Sequence, residues 1–329
     1  MLRIHIMNSV KGGSGKSTFS LYLANYLKTK GYNPVIIDLD VCGSTWFSNN
    51  ESYIQNAKNC IFLNDLFYNY EQKSKKEHIF RLNISNNGNK DVLKVIMADP
   101  KKLSIMKDET LDLLENTVIQ LVDELINPKY QTVHDNENTT DIIFDMPPGY
   151  EKHSERIIMH LIMDMISKIH SKIEPKPGYL KIKGMQVYKR VNALYHVYLY
   201  MISNLNEAAY ISNLQYVNNL YTNFSYSMDT RIIPKENIMF VLNDINGITD
   251  EPARSSGITI SDENLISSFE HVKNSKFIFL KKAKTTMLHR IIFEHEKTKI
   301  INMRTSKFEK ELKFIDGIDQ FESVFNCMY

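Results

Sequence analysis

The sequence is poor in residues that staple a fold or hold a metal. Its three cysteines, Cys42, Cys60 and Cys327, are odd in number and show no paired spacing. That argues against a disulfide framework and a tetrahedral zinc site, and suits a reducing compartment, so a cytoplasmic location is expected. No apolar run approaches the roughly eighteen residues that suggest a transmembrane helix. The first such run, Leu2 to Met7, is too short for a secretory signal and leads straight into glycines. A dominant charge sign is missing too. Lys and Arg number 40 against 38 Asp and Glu, a net charge of +2, so any basic surface has to be local. No internal repeat or low-complexity linker divides the 329 residues. One domain is expected, and an added DNA-binding domain ahead of Met1 is not. With 43% hydrophobic and 24% charged residues, the chain has ordinary globular composition and material for a sizeable core.

What is present is an alternation. Leu2 to Met7 reads as a buried strand, followed by a glycine loop and a helix from Lys16 to Lys30 that carries Phe19, Leu23, Tyr26 and Leu27 at helical spacing and stops at Gly31. Pro34 opens the short apolar run PVIID. Val92 to Met97, Asp141 to Asp145, His196 to Ile202, Ile238 to Leu242 and Phe277 to Leu280 are further strand candidates, and Glu109 to Leu125 is an amphipathic helix. Continuous rather than alternating apolar strands, interleaved with helices, predict an α/β fold: a mainly parallel β-sheet with helices on both faces. Two stretches break the rhythm. Glu151 to Ala193 and Leu205 to Asn237 are longer than a crossover requires and read as decorations on the sheet.

The chemistry centres on KGGSGKST, Lys11 to Thr18. Gly12, Gly13 and Gly15 let the backbone turn tightly, so that amides through Ser14 face phosphate oxygens at the start of a helix. Lys16 would reach the β- and γ-phosphates of ATP, the Ser17 hydroxyl would ligate Mg²⁺, and Thr18 would meet the α-phosphate. The strict P-loop pattern has glycine where this chain has Val10. Two acids close the second strand, Asp38 and Asp40; strand ends face the ligand crevice of a parallel sheet, and residues two apart on a strand point the same way. A third apolar strand ends in Asp145, the form of a Walker B acid that holds Mg²⁺ through water. Asn243 ends a late strand.

VKGGSGKST resembles the deviant phosphate loop of the ParA/MinD ATPases, xKGGxGK[ST], some of which also lack the first glycine. The order of loop, DLD and DIIFDMPPG supports the resemblance. It is strongest over residues 1 to 50, where GSTWFS looks like the partition-protein version. The resemblance implies that Lys11 crosses to the partner's ATP in a nucleotide-dependent homodimer. It also implies that Asp40 orients the attacking water, that Asp38 supports the Mg²⁺ shell, and that Asn243 contacts adenine. Catalysis would rest on Lys11, Lys16 and Asp40.

Such proteins partition or position DNA and other large cargoes, and the same switch is expected here, with slow hydrolysis stimulated by a protein activator or adaptor. The stretch at about 151–193 departs from the family as an insertion. It holds a basic cluster, Lys168, Lys172, Lys176, Lys181, Lys183, Lys189 and Arg190, with Tyr179 and Tyr188 between them, suited to non-specific DNA binding. The tail from Phe308 to Tyr329 reads as a helix packed on the core. Asp316, Asp319 and Glu322 argue against a membrane anchor of the MinD kind. A metal-cluster reductase would need cysteines at a dimer axis, and a bacterial tyrosine kinase a terminal tyrosine cluster. The remaining alternative is a nucleotide-gated assembly or regulatory protein that binds a protein partner instead of DNA.

Overall fold

The computed structural model describes residues 2–40, 54–67, 70–73, 76–86, 89–99, 108–126, 139–147, 195–204, 212–219, 237–243, 276–280 and 315–316. Nine strands form one sheet in the order β3-β4-β2-β5-β1-β6-β7-β8-β9. In chain order the elements are β1 (Leu2–Asn8), α1 (Lys16–Thr29), β2 (Pro34–Asp38), α2 (Leu63–Leu66), α3 (Tyr70–Lys73), β3 (Phe80–Asn86), β4 (Asn89–Ile96), α4 (Asp108–Ile126) and β5 (Asp141–Asp145). Then come β6 (Tyr195–Asn204), the helix α5 at 212–219, β7 (Ile238–Asn243), β8 (Lys276–Leu280) and β9 (Ile315–Asp316). Every pairing from β4 through β8 is parallel, and only the two outermost pairs are antiparallel.

Two apolar clusters lie on opposite sides of the sheet because strand residues alternate. Ile4 and Ile6 of β1 join Leu114, Val118 and Leu121 of α4 and Leu214 and Val217 of α5 in one cluster. Met7 joins Phe19, Leu23, Ala24 and Leu27 of α1 in the other. Both faces are therefore covered, which is why β2 and β5 are apolar at every interior position and buried at every residue. The mainly parallel, doubly covered sheet expected from the sequence is the observed architecture.

The structure adds three features. The segment before β4 is a strand, β3, paired antiparallel to it with Asn86 opposite Asn89; Asn87-Gly88 between them is the strongest two-residue hairpin signal. Within Leu205 to Asn237, α5 is no surface decoration, since Leu214, Tyr216 and Val217 are buried in the core. The tail expected to be helical instead supplies β9, whose Ile315 pairs with Leu280 of β8. Gly317 follows immediately and disfavours a continuing helix. The outer edge of β8 offers backbone groups that a strand satisfies. The rest of that tail, and the insertion at 151–193, lie outside the described residues.

Candidate functional site

β1 delivers the chain to the sheet's C-terminal edge at Asn8, and α1 carries it away from Lys16. Between them Gly13 and Gly15 adopt φ of 70° and 93°, left-handed conformations that side chains resist. A Cβ on Gly13 would meet nothing within 4 Å, so backbone shape, not crowding, calls for glycine there. Gly15 is the N-cap of α1, which has no side-chain cap bond and no acidic residue in its first turn. The first amides of a helix lack intrahelical partners and carry the positive end of its dipole. Here no side chain caps them, and the arrangement is ready for an anion. Lys11, Gly12 and Gly13 are exposed, Ser17 and Thr18 half-buried, and Ser14 and Lys16 buried.

Side chains hold the entry to this loop. The Ser9 amide donates to Asn8 Oδ1 at 2.8 Å. Ser9 Oγ donates to the Lys11 carbonyl at 2.8 Å and accepts the Lys11 amide at 3.3 Å. From across the sheet edge, Asn213 Oδ1 of α5 accepts the Val10 amide at 3.1 Å. None of these anchors stood out in the sequence, because a polar residue at a turn is common and α5 is two hundred residues away in the chain.

The acids arrive through strand register. Asp38 lies beside Asp145, and Asp145 beside Met7, so the ends of β2, β5 and β1 are level. The ladder runs slightly further: the Leu39 amide donates to the Asp145 carbonyl at 2.9 Å, and the Met146 amide to the Met7 carbonyl at 3.1 Å. β2 stops at Asp38, however, which corrects the expectation that Asp38 and Asp40 share a face as alternate strand residues. Instead Asp38 is buried and folds the chain over itself, its Oδ1 accepting the Asp40 amide at 3.1 Å, a local turn that Asp favours. Its Oδ2 accepts the Ala98 amide of the neighbouring strand end at 3.4 Å. Asp38 thereby fixes where Asp40, half-buried, begins.

Lys16 is 8% exposed. Burial pushes its ammonium pKa down, and the charges of Asp145 and Asp40 oppose that push. The acids after β2 and at the end of β5 thus favour the charged form of the loop lysine. Asn243 is the last residue of β7, level with Asn204 of β6, on the same edge. The Pro148-Gly149 part of the turn after Asp145 lies outside the described residues.

A second polar group lies under α1 within the sheet. Asp141, the first residue of β5, accepts from Arg3 Nε at 2.5 Å and Nη2 at 2.7 Å, from His5 Nε2 at 2.9 Å and from Thr140 Oγ1 at 2.6 Å. Burial alone would raise the carboxyl pKa, but the hydrogen bonds and charges of His5 and Arg3 outweigh it and hold it at about 2. Burial drives the His5 pKa down despite the hydrogen bond and charge of Asp141, so the ring is neutral at pH 7. An ionised carboxylate only accepts, which places the ring proton on Nε2 and leaves Nδ1 to accept from the Tyr200 hydroxyl at 3.1 Å. His5 stacks on Tyr198 at 5.3 Å between centroids, and Tyr200 meets Phe19 of α1 at 5.5 Å. The signal was Arg3 and His5, two apart in an otherwise apolar strand.

A phosphate loop between β1 and α1, with acids at the ends of β2 and β5, is matched by a family model. The CobQ/CobB/MinD/ParA nucleotide binding domain covers residues 5–258. This chain belongs to that family. It is therefore a nucleotide-binding protein of the ParA/MinD type, as the loop motif implied. Similar solved structures include a putative plasmid partition protein from Borrelia burgdorferi B31 bound to AMPPNP, 13% identical, covering 95% of this chain and 98% of that one with a TM-score of 0.48. The MinC:MinD cell division complex of Aquifex aeolicus is 14% identical over 88% and 85% of the two chains, with a TM-score of 0.46. Cobyrinic acid a,c-diamide synthase from Mycobacterium smegmatis, with bound ADP and magnesium, is 11% identical over 80% and 82%, with a TM-score of 0.44. No curated protein matches the chain.

Proposed function

We propose that this family member is a single-domain, Mg-ATP-dependent dimerising ATPase that works as a nucleotide switch to partition or position DNA or another large cargo. One observation carries the reading. An exposed lysine, Lys11, stands at the mouth of a phosphate loop that already has a buried lysine of its own, Lys16.

The residues suit the ligand. The uncapped start of α1 and the open backbone at Gly13 make an anion cradle. Among the described residues no three His, Cys, Asp or Glu side chains converge as a cation cage. A Mg²⁺ held by Ser17 and, through water, by Asp145 would complete its shell with phosphate oxygens and water, as that ion commonly does. Bound Mg²⁺ supplies Lewis-acid polarisation of phosphoryl oxygens.

The chain's own groups do the rest. The amides of Gly12 to Gly15 and the Lys16 ammonium neutralise phosphate charge, with Thr18 near the α-phosphate and Asn243 at the base. Asp38, occupied with two backbone amides, supports the metal shell from behind and sets the position of Asp40. Asp40 orients the attacking water. Lys11 has no necessary task at its own site. Reaching across a two-fold axis, it would neutralise charge at the partner's site, so that each subunit gives and receives one contact.

No helix among the described residues is long and apolar enough to cross a membrane, and a cytoplasmic location fits the cysteine usage. DNA contact is assigned to the basic stretch around Lys181 to Arg190.

Mass measurement in solution tests the switch. The Asp40→Ala variant, slow to hydrolyse, should move from monomer to dimer with Mg-ATP and not with Mg-ADP, and adding Lys11→Ala should prevent the move. A dimer indifferent to nucleotide and to Lys11 would overturn the mechanism. Nucleotide-gated dimers without DNA binding would favour an assembly protein acting on a protein partner.

A further inference from the structure

The phosphate loop is tied to the rest of the molecule at one unexpected point. Val10 occupies the position where the strict loop pattern has glycine, and its side chain packs against the core cluster that contains Leu214 and Val217 of α5. Its amide donates to Asn213 Oδ1 at 3.1 Å. Because that amide is a donor, the oxygen end of the carboxamide has to face it. Asn213 is 1% exposed, and its Nδ2 meets no hydrogen-bond partner among the described residues. A buried carboxamide is costly to hold with half its capacity used, so the single bond to Val10 is what its position serves. The other contacts at the loop entry, Asn8 to Ser9 and Ser9 to Lys11, are local. They shape the entry but do not connect it to another element.

We infer that Asn213 is a positioning residue, which straps the entry of the phosphate loop to α5 and so couples occupancy of the loop to that helix. Ser9 clamps the Lys11 backbone directly beyond the strap, so the strap also sets where Lys11 starts. Among the described residues the Asn213 bond joins α5 to the loop directly, and a hydrogen bond, unlike apolar packing, holds one geometry. A shift of the loop on binding nucleotide therefore passes to α5 through Asn213. This coupling rests on the proposed nucleotide site, whereas the strap itself does not.

Amide hydrogen exchange on the full chain separates the two. In nucleotide-free protein, Asn213→Ala should speed exchange over residues 9–12 by roughly 3–10-fold, the loss of one ordinary hydrogen bond, with β1 unchanged. Asn213→Gln keeps a neutral acceptor oxygen and should restore much of the parent protection. With Mg-ATP, exchange in 212–219 should slow in the parent and respond less in Asn213→Ala, whose ATP affinity should fall by a similar factor. Unchanged exchange at 9–12 in Asn213→Ala, or no restoration by Gln, overturns the strap. Should Asn213→Ala loosen the whole sheet, Asn213→Gln decides alone, because lost protection at 9–12 with β1 intact refutes it. If the parent binds no ATP, the nucleotide site is wrong, and the strap stands or falls on the nucleotide-free result.

Discussion

Replacing Asp141 by Asn tests the buried brace beneath α1. The carboxylate is fully buried and receives four hydrogen bonds, two from Arg3, one from His5 and one from Thr140. Two routes give the size of its effect. A carboxyl held at about 2, against an ordinary 3.8, contributes about 2 kcal/mol through linkage. That contribution is complete above the unfolded value and is lost as pH falls through the range from about 4 to 2. Removing one partner of a buried ion pair costs more, about 3–5 kcal/mol, because the other charge stays buried. Here that charge is the Arg3 guanidinium, which also lies over the Tyr32 ring at 3.9 Å. The larger figure should therefore apply, a substantial part of the ~5–15 kcal/mol that holds a typical domain together.

Urea unfolding at pH 7 followed by circular dichroism would give the loss, and repeating it from pH 7 to 2 would give the linkage. The parent should weaken first below about pH 6.5, where unfolded histidine takes a proton that buried neutral His5 refuses. It should weaken again below about pH 4 as Asp141 protonates. Asp141→Asn should lose the second limb and start from a lower plateau. An unchanged midpoint at pH 7, together with an intact acid limb, would refute a buried, ionised Asp141.

The other predictions concern the nucleotide site. Lys16→Ala should lower ATP affinity at least tenfold in an equilibrium titration, because a cation that is worth burying beside Asp145 and Asp40 has its use in phosphate charge; near-parent affinity would sink that role. Asp40→Ala should bind ATP as the parent does and turn it over at least tenfold more slowly in a phosphate-release assay, whereas a parent-like rate would make Asp40 only a turn residue. Changing Lys181, Lys183, Lys189 and Arg190 to Gln should weaken DNA binding at every sequence and flatten its salt dependence, since each lost phosphate contact releases fewer counterions. Equal salt slopes for parent and variant would remove that stretch from the interface.

Local sequence determined the engine of this protein. Glycines at 13 and 15 are demanded by φ, the apolar runs of β2 and β5 by burial on both faces, and Asp38 and Asp145 announce themselves as acids at strand ends, with Asp40 just beyond. These signals are short-range, and each is complete within a few residues. The β3–β4 hairpin is legible as well, through Asn87-Gly88 ahead of the apolar run Val92 to Met97. Tertiary structure alone decided which distant groups meet. That the Arg3 and His5 side chains share one carboxylate with Thr140, that Asp38 spends its oxygens on two backbone amides, and that Asn213 reaches Val10 all depend on strand order and register. A parallel sheet sets its neighbours through crossovers, so β1 lies between β5 and β6, segments more than a hundred residues away, and no local pattern records that choice.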